Sequence, residues 1–468
     1  MQTNRDMRFF DSDPAIRRIA EEIYGGTKAI PILSPHGHTD PAWFAENKPF
    51  SDPANLLIVP DHYVFRLLYS QGVPLEELGI PRLDGGETES DPRKIWETFA
   101  KYFYLFTATP TGAWFEHIFQ NVFGIDEVLN ERTSHDYYEI IDSALKTDSF
   151  LPRNIMDRFN IEVLATTDAA FDSLKSHKQI KDSNWQGRVI PTFRPDAVTD
   201  LSHPTWQENI ITLGKSVRYE ITSYDQFIRA LEERRQYFKS MGATATDQGV
   251  VTPYTHKLDQ AQCDSIFRRA LRGHSSDEDA ALFTAHMLIE MARMSVEDGL
   301  VMQVHPGSFR NHNTWIFEKF GADKGADIPL QVEYTRNLLE LLNLFGNDIR
   351  LNLIIFTLDE TNYARELAPL AGHYPALKLG PAWWFNDSIE GMKRFREATT
   401  ETASFYNTVG FNDDTRALLS IPARHDQSRR VDANYLAGLV ARHQIDLDTA
   451  RDLGRALAYD LAKAAYKL

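Results

Sequence analysis

The sequence predicts an α/β fold built from alternating strands and helices, either a (β/α)8 barrel or a doubly wound sheet. Three observations lead there. Eight short apolar runs recur along the chain, at 30–35, 161–166, 188–193, 242–246, 300–304, 351–357, 376–381 and 408–411. They are near-continuously apolar, as strands buried on both faces of a parallel sheet require. Amphipathic helical stretches separate them, and each run ends in a polar cluster, as a barrel with its active site at the strand C-termini would show.

Taken in order, residues 1–28 read as an N-terminal helical segment, and the barrel is expected over 29–430. The long gap between the first two runs holds aromatic-rich, helix-like stretches around 65–68, 95–106 and 114–145. It is expected to be a helical insertion on the first loop, about 65–158. Further helices are expected over 223–239 and 276–299, each opening on a serine, and over 332–345 and 388–399. Residues 431–468 read as C-terminal helices.

Composition narrows the function classes. The 468 residues carry 50 Lys+Arg against 66 Asp+Glu, a net charge of −16. With no polybasic run, such a surface repels phosphate backbones, so nucleic acid is not an expected partner. An anionic small molecule stays possible, because a few local arginines outweigh a distant field. The apolar runs are far too short to span a membrane. The single cysteine, Cys263, permits neither an internal disulfide nor a thiolate cluster. Residues 1–10 do not read as a signal peptide, and a cytoplasmic protein is expected.

The chemistry lies at the strand ends. His36 and His38 are two apart after an apolar run, and the strand period puts both imidazoles on one face, able to share a divalent cation. Two hydrogen-bonded turn histidines would look the same. A third ligand has to come from a distant strand end, and Asp414 and His305 are the candidates. Arg194 and Arg416 have the forks that grip a carboxylate, although Arg194 could also pair with Asp196. Of Trp383 and Trp384, alternation puts one at the site and one in the core, with Trp383 the expected site residue.

Leu33-Ser34-Pro35-His36-Gly37-His38 followed by Asp61-His62-Tyr63 resembles the opening of the uronate isomerases of the amidohydrolase superfamily. The resemblance continues through Ala165-Thr166-Thr167-Asp168, Val189-Ile190-Pro191-Thr192-Phe193-Arg194-Pro195-Asp196 and Met302-Gln303-Val304-His305. Arg310-Asn311, Leu379-Gly380-Pro381-Ala382-Trp383-Trp384-Phe385-Asn386-Asp387 and Asp414-Thr415-Arg416 complete it in the family's order. It implies a distorted (β/α)8 barrel of the metal-dependent hydrolase type with one divalent metal ion per chain, zinc being the expected ion. Carried over residue by residue, it implies His36, His38 and Asp414 as ligands. Asp414, Tyr63 and His62 become the catalytic candidates, and Arg194, Arg416, Trp383 and His305 the substrate-binding ones. Two departures stand out: Gln248 where the family usually has histidine, and Ala169 where a second acid is common.

The implied reaction is aldose–ketose isomerisation of D-glucuronate to D-fructuronate and D-galacturonate to D-tagaturonate, by proton transfer through an enediol. A small uronate would be the partner, and a homo-oligomer the expected state. The alternative is a metal-dependent hydrolase on the same barrel. No lysine ends the 188–193 or 242–246 run, which counts against a carbamylated-lysine binuclear site. A non-catalytic sugar-acid binding protein is the third reading.

Overall fold

The apolar runs form parallel strands covered on both sides. The computed structural model describes residues 7–468, so the N-terminal stretch 1–10 lies partly outside the described residues. The strands are β1 (Ile32–Ser34), β2 (Ile161–Ala165, resuming at Asp168–Ala169), β3 (Arg188–Ile190, resuming at Phe193–Arg194), β4 (Ala245–Val250), β5 (Val301–Pro306), β6 (Leu353–Ile355) and β7 (Leu377–Leu379). They pair in that order, all in parallel. Reciprocal bonds of 2.9 Å, Thr166 N–H to the Ile190 carbonyl and Thr192 N–H to that of Thr166, carry the ladder across the breaks in β2 and β3. The eighth stave is a single bridge, Thr408 to Leu379. Beyond it, Asp414 N–H donates to the His36 carbonyl at 3.2 Å and His38 N–H to that of Thr415 at 2.9 Å. The barrel closes through its active-site turns, and there its distortion is concentrated.

Alternation sorts the side chains. Met302, Val304, Leu353, Ile355, Leu377 and Leu379 pack outward against the helical shell, while Ala245, Val301, Ile354, Phe356 and Val409 pack inward. The C-terminal helix Leu461–Tyr466 joins that inner group. Tyr466 is fully buried, donating its hydroxyl to Gln303 Oε1 at 3.0 Å and accepting from Asn412 Nδ2 at 3.1 Å. The chain thus closes the interior of its own barrel with its last turns.

The helix signals in the sequence correspond to real caps. Ser223 caps Tyr224–Ser240, Ser276 caps Asp277–Asp298 and Ser388 caps Ile389–Ala403. Between β1 and β2, Asp-Pro pairs open helices at Pro41–Glu46, Pro53–Leu57 and Pro92–Lys101. Aspartate supplies the cap, and proline occupies the first turn, where its missing N–H is not needed. These helices share a core of Phe44, Trp96, Phe99, Phe115 and Ile141 that is continuous with Ile32, Ile161 and Val189 of the barrel wall.

Several expectations shift. Helices after β1 begin at Pro41, and a boundary near 65 would fall inside His62–Tyr69. The division at 430/431 falls inside the continuous helix Ser420–Ala441, whose charged residues Arg424, His425 and Asp432 are buried rather than solvated. β4 and β5 extend past the runs at 242–246 and 300–304, because they stay paired from Ala245–Val301 to Val250–Pro306. Asp247 and His305 are therefore strand residues. The helix expected over 332–345 forms only at Leu339–Phe345. Before it, Glu366 takes the amides of Tyr334 and Thr335, and Glu333 takes those of Arg336 and Asn337, in place of helical carbonyls.

Ile389–Ala403 is tied to Ser420–Ala441 by a buried two-pronged pair, Arg396 Nε to Asp432 Oδ1 at 2.6 Å and Nη2 to Oδ2 at 2.9 Å. Arg396→Met strands the Asp432 carboxylate without a partner, and is expected to cost about 3–5 kcal/mol. Urea unfolding checks this, and an unchanged midpoint would contradict it.

Candidate active site

Two turns and two strands bring the charged groups together. His36 and His38 follow β1, and Asp414 follows the eighth stave in a left-handed backbone conformation, φ +42. Asp414 Oδ1 lies 3.3 Å from His36 Nε2 and 3.2 Å from His38 Nε2, and Oδ2 accepts from Trp383 Nε1. Burial pushes the Asp414 carboxyl up, but bonds to the two histidines outweigh it and hold the group well below the usual carboxylate range.

The turn carrying Asp414 is anchored from beneath. The fully buried Asp413 accepts from Ser34 Oγ at 3.1 Å and pairs with His425 Nε2 at 3.0 Å. Its carbonyl accepts from Arg424. Arg424, also buried, lies 3.8 Å over the Trp114 ring and 5.1 Å over that of Tyr63. One guanidinium thus touches both the Asp414 turn and the Tyr63 ring.

On the other side of His36, its Nδ1 faces Asp247 Oδ1 at 3.9 Å. Asp247 is completely buried; its Oδ1 is 2.5 Å from His305 Nε2 and its Oδ2 3.4 Å from Arg194 Nη1. A carboxylate behind a histidine fixes the ring and raises its donor strength. Burial opposes protonation of His36, but Asp247 and Asp414 outweigh it and draw the imidazole up; His38 is drawn down by its burial. Arg194 Nε also donates to Asp196 Oδ2 at 2.7 Å, which in turn accepts the Gly249 amide at 3.0 Å. Gly249 has no room for a side chain: a Cβ there would lie 2.7 Å from Arg194 Nη2 and 2.9 Å from His305 Cε1.

His62 and Tyr63 form the first turn of His62–Tyr69, which Asp61 caps by accepting the Tyr63 amide at 2.9 Å. The two rings stack at 4.7 Å, and His62 sits 5.8 Å from Trp384. Burial, reinforced by Arg416, pushes His62 down to about 3, so it is neutral near pH 7. Burial likewise holds the Tyr63 hydroxyl above its ordinary value. Arg416 is half-exposed, and Asp323 Oδ2 lies 3.3 Å from its Nη2. A cavity of about 530 Å3 opens beside Arg194, His305 and Arg310.

Buried polar atoms that make no well-directed hydrogen bond concentrate here: His36 Nδ1, Asp414 Oδ1, both Asp247 oxygens, and both ring nitrogens of His305 and His62. Such a cluster calls for a missing polar or charged group. Two ligand sets sharing His36 suit a cation, His36–His38–Asp414 and His36–Asp247–His305. Two imidazoles and a carboxylate suit a divalent transition ion, and zinc sites of this composition leave a position open.

The family model for glucuronate isomerase matches residues 8–466. The chain belongs to this family. Among its relatives, the uronate isomerase of Nostoc punctiforme is 54% identical over 98% of both chains, and that of Mesorhizobium japonicum 53% identical over 98% of both. The solved glucuronate isomerase of Caulobacter crescentus superposes with a TM-score of 0.97 at 52% identity, covering 98% of this chain and 96% of that one. The uronate isomerase of Thermotoga maritima follows at 0.92 and 27% identity, covering 100% of both. The fold is the distorted barrel of these enzymes, and the chain is an aldose–ketose isomerase of the glucuronate isomerase family.

The structure brings all nine singled-out residues to this one end of the barrel: His36, His38, His62, Tyr63, Arg194, His305, Trp383, Asp414 and Arg416. They are not equally free. Arg194 is engaged by Asp196 and Asp247 and lines the cavity, whereas Arg416 pairs, among the described residues, with one loop carboxylate. Trp383 reaches Asp414, while Trp384 stacks on Phe385 with Arg310 5.0 Å over its ring. Gln248 faces away from the site, its amide bonded to Thr246 Oγ1 at 2.8 Å, so the missing histidine does not open a gap beside the ligands. Asp247 stands out in the sequence as a strand-end acid able to orient its neighbours, though not as a catalytic residue, and here it faces His36, His305 and Arg194. No local pattern marks Arg424 or Asp323.

The two ligand sets make different predictions for metal content. His38→Asn and Asp414→Asn are expected to lose the bound divalent ion on dialysis, while His305→Asn keeps about one per chain. Elemental analysis decides; loss in His305→Asn with retention in His38→Asn would shift the ion to the Asp247 side.

Proposed function

We propose that the chain interconverts D-glucuronate with D-fructuronate, and D-galacturonate with D-tagaturonate, by moving a proton between C2 and C1 of the open-chain sugar. The reading rests on full-length agreement with proteins named uronate isomerase, and the chemistry of the site supports it. His36, His38 and Asp414 would hold one divalent ion, which we assign as zinc and which when bound would polarise the substrate oxygens.

The rest falls to the chain's own side chains. Asp414 Oδ2 accepts one N–H, from Trp383, and keeps a lone pair for the C2 proton. Taking that proton forms the C1–C2 double bond of the enediol while O1 takes a proton from the hydroxyl that donates to it, to which the O2 proton later returns. Returning it to C1 while O2 loses its proton gives the ketose. Tyr63, kept neutral by burial, suits a hydrogen-bond donor at the oxygen where charge develops. His62, neutral with both ring nitrogens unpartnered, suits a hydroxyl on the sugar. Arg416 is the freer fork for the substrate carboxylate, and Arg194 and His305 line a cavity with Arg310. The hydrolase reading finds no support: neither β3 nor β4 contains a lysine to bridge two metals. The working partner is a small uronate, and a cytoplasmic homo-oligomer without nucleic-acid contacts is the setting we assign; among the described residues no helix is long and apolar enough to cross a membrane.

Proton NMR of metal-replete enzyme with each uronate in deuterated water is expected to show ketose formation with solvent deuterium entering the product. Asp414→Asn, assayed in enough divalent ion to keep the site loaded, should lose about 10²–10⁴-fold in turnover. Near wild-type turnover in that variant, with metal still bound, would remove Asp414 from the proton-transfer role.

A further inference from the structure

The loop after β5 carries a carboxylate into the place where a substrate carboxylate is expected. Asp323 lies in this loop with left-handed backbone, φ +60, between Gly321 and Gly325, which also have positive φ. Its Oδ2 is 3.3 Å from Arg416 Nη2, an ion pair at the tip of that fork. Arg310 and His62 lie within its electrostatic reach, and Asp323 within that of Arg194. One loop carboxylate thus pairs with Arg416, whose fork would otherwise be open to an anion, in the field of two further arginines and a histidine.

The loop is seated on catalytic machinery at one end and on structure at the other. A Cβ on Gly325 would lie 2.5 Å from Arg66 Cβ and 3.3 Å from the His62 carbonyl, so the loop presses on the turn that carries His62 and Tyr63. Arg310 pairs with Asp327 at 2.7 Å and His312 N–H with the Ala326 carbonyl at 2.9 Å, which ties its base. The Asp323–Arg416 pair itself is loosely held. The side chains are 48% and 31% exposed, and exposed ion pairs exchange partners at little cost.

We propose that Asp323 is a place-holding carboxylate, occupying Arg416 in the unliganded enzyme and giving way to the carboxylate of the uronate. This rests on Arg416 being the substrate's carboxylate clamp. A place-holder neutralises a cation that would otherwise stand unpaired at the mouth, and it screens the site against weak anions. Its cost is affinity: the fraction of molecules with Arg416 occupied raises the apparent dissociation constant of every carboxylate ligand in proportion.

The test uses the metal-replete full-length enzyme, with D-glucuronate as substrate and acetate as a minimal carboxylate inhibitor. Asp323→Asn keeps the shape of the loop residue and removes its charge. It is expected to lower KM, and the acetate inhibition constant with it, by about 3–10-fold, with kcat changed less than about twofold. Arg416→Met should raise KM, and in that background Asp323→Asn should have no further effect on KM. An unchanged or raised KM in Asp323→Asn, while Arg416→Met still raises it, overturns the place-holder and leaves the clamp standing. An unchanged KM in Arg416→Met overturns the clamp itself. Gly325→Ala separates seating from charge: wedging the loop off the His62 turn should release Arg416 and lower the acetate inhibition constant with Asp323 still present. An unchanged constant there would also contradict the proposal.

Discussion

The Asp414 turn is the constraint on which the site depends. A non-glycine residue at φ +42 is strained, and such strain persists only where the surroundings over-determine it. Here they do. Asp413, one residue earlier, is fixed by Ser34 from β1 and by His425 from the long C-terminal helix, while Arg424 holds its carbonyl. The amide of Asp414 and the carbonyl of Thr415 close the barrel onto His36 and His38. The bonds that complete the fold are therefore the bonds that set the distance between Asp414 and the two imidazoles. Removing one buried anchor leaves its partners unsatisfied, so the cost reaches the site and the barrel together.

The same economy appears behind His36. Asp247 touches His36, His305 and Arg194 from one fully buried position, and Gly249 two residues on leaves the space that His305 and Arg194 fill. A strand is the element that can do this, because its period of two sends both positions to the same side. Gln248 between them goes the other way. Arginine is used twice as a strut, at 194 and 424, and once at 416 as a fork open to solvent.

Much of this was legible in the sequence, and the physical reason differs by element. The strands could be read because both faces are buried and apolar residues dominate them, with only isolated polar positions such as Glu162 and Lys378 in the runs; the helix starts could be read because serine and aspartate caps act within three residues of themselves. The convergence of His36, His38 and Asp414 was legible because each sits in a local motif at a strand end. What depends on distant partners was not. The ends of β4 and β5 follow from pairing with each other, and the shortened helix at Leu339–Phe345 from Glu366 capturing amides more than thirty residues away. Arg424 looks like a solvated helix residue until the aromatic rings of Trp114 and Tyr63 are laid over it, and Tyr466 gives no sign in the sequence that it closes the barrel.

The buried anchors of the Asp414 turn thus set the geometry of the candidate metal site. The most direct measurement is the dissociation constant for Zn2+ of Asp413→Ala against wild type, by competition with a chromophoric chelator, on protein whose circular dichroism is native. Asp413 is not a ligand in either candidate set, so any effect must pass through the turn. Binding is expected to weaken by about 10–100-fold, the range of lost outer-shell support. Unchanged affinity in a natively folded variant would show that Asp414 reaches the histidines without its anchors, and would contradict this dependence.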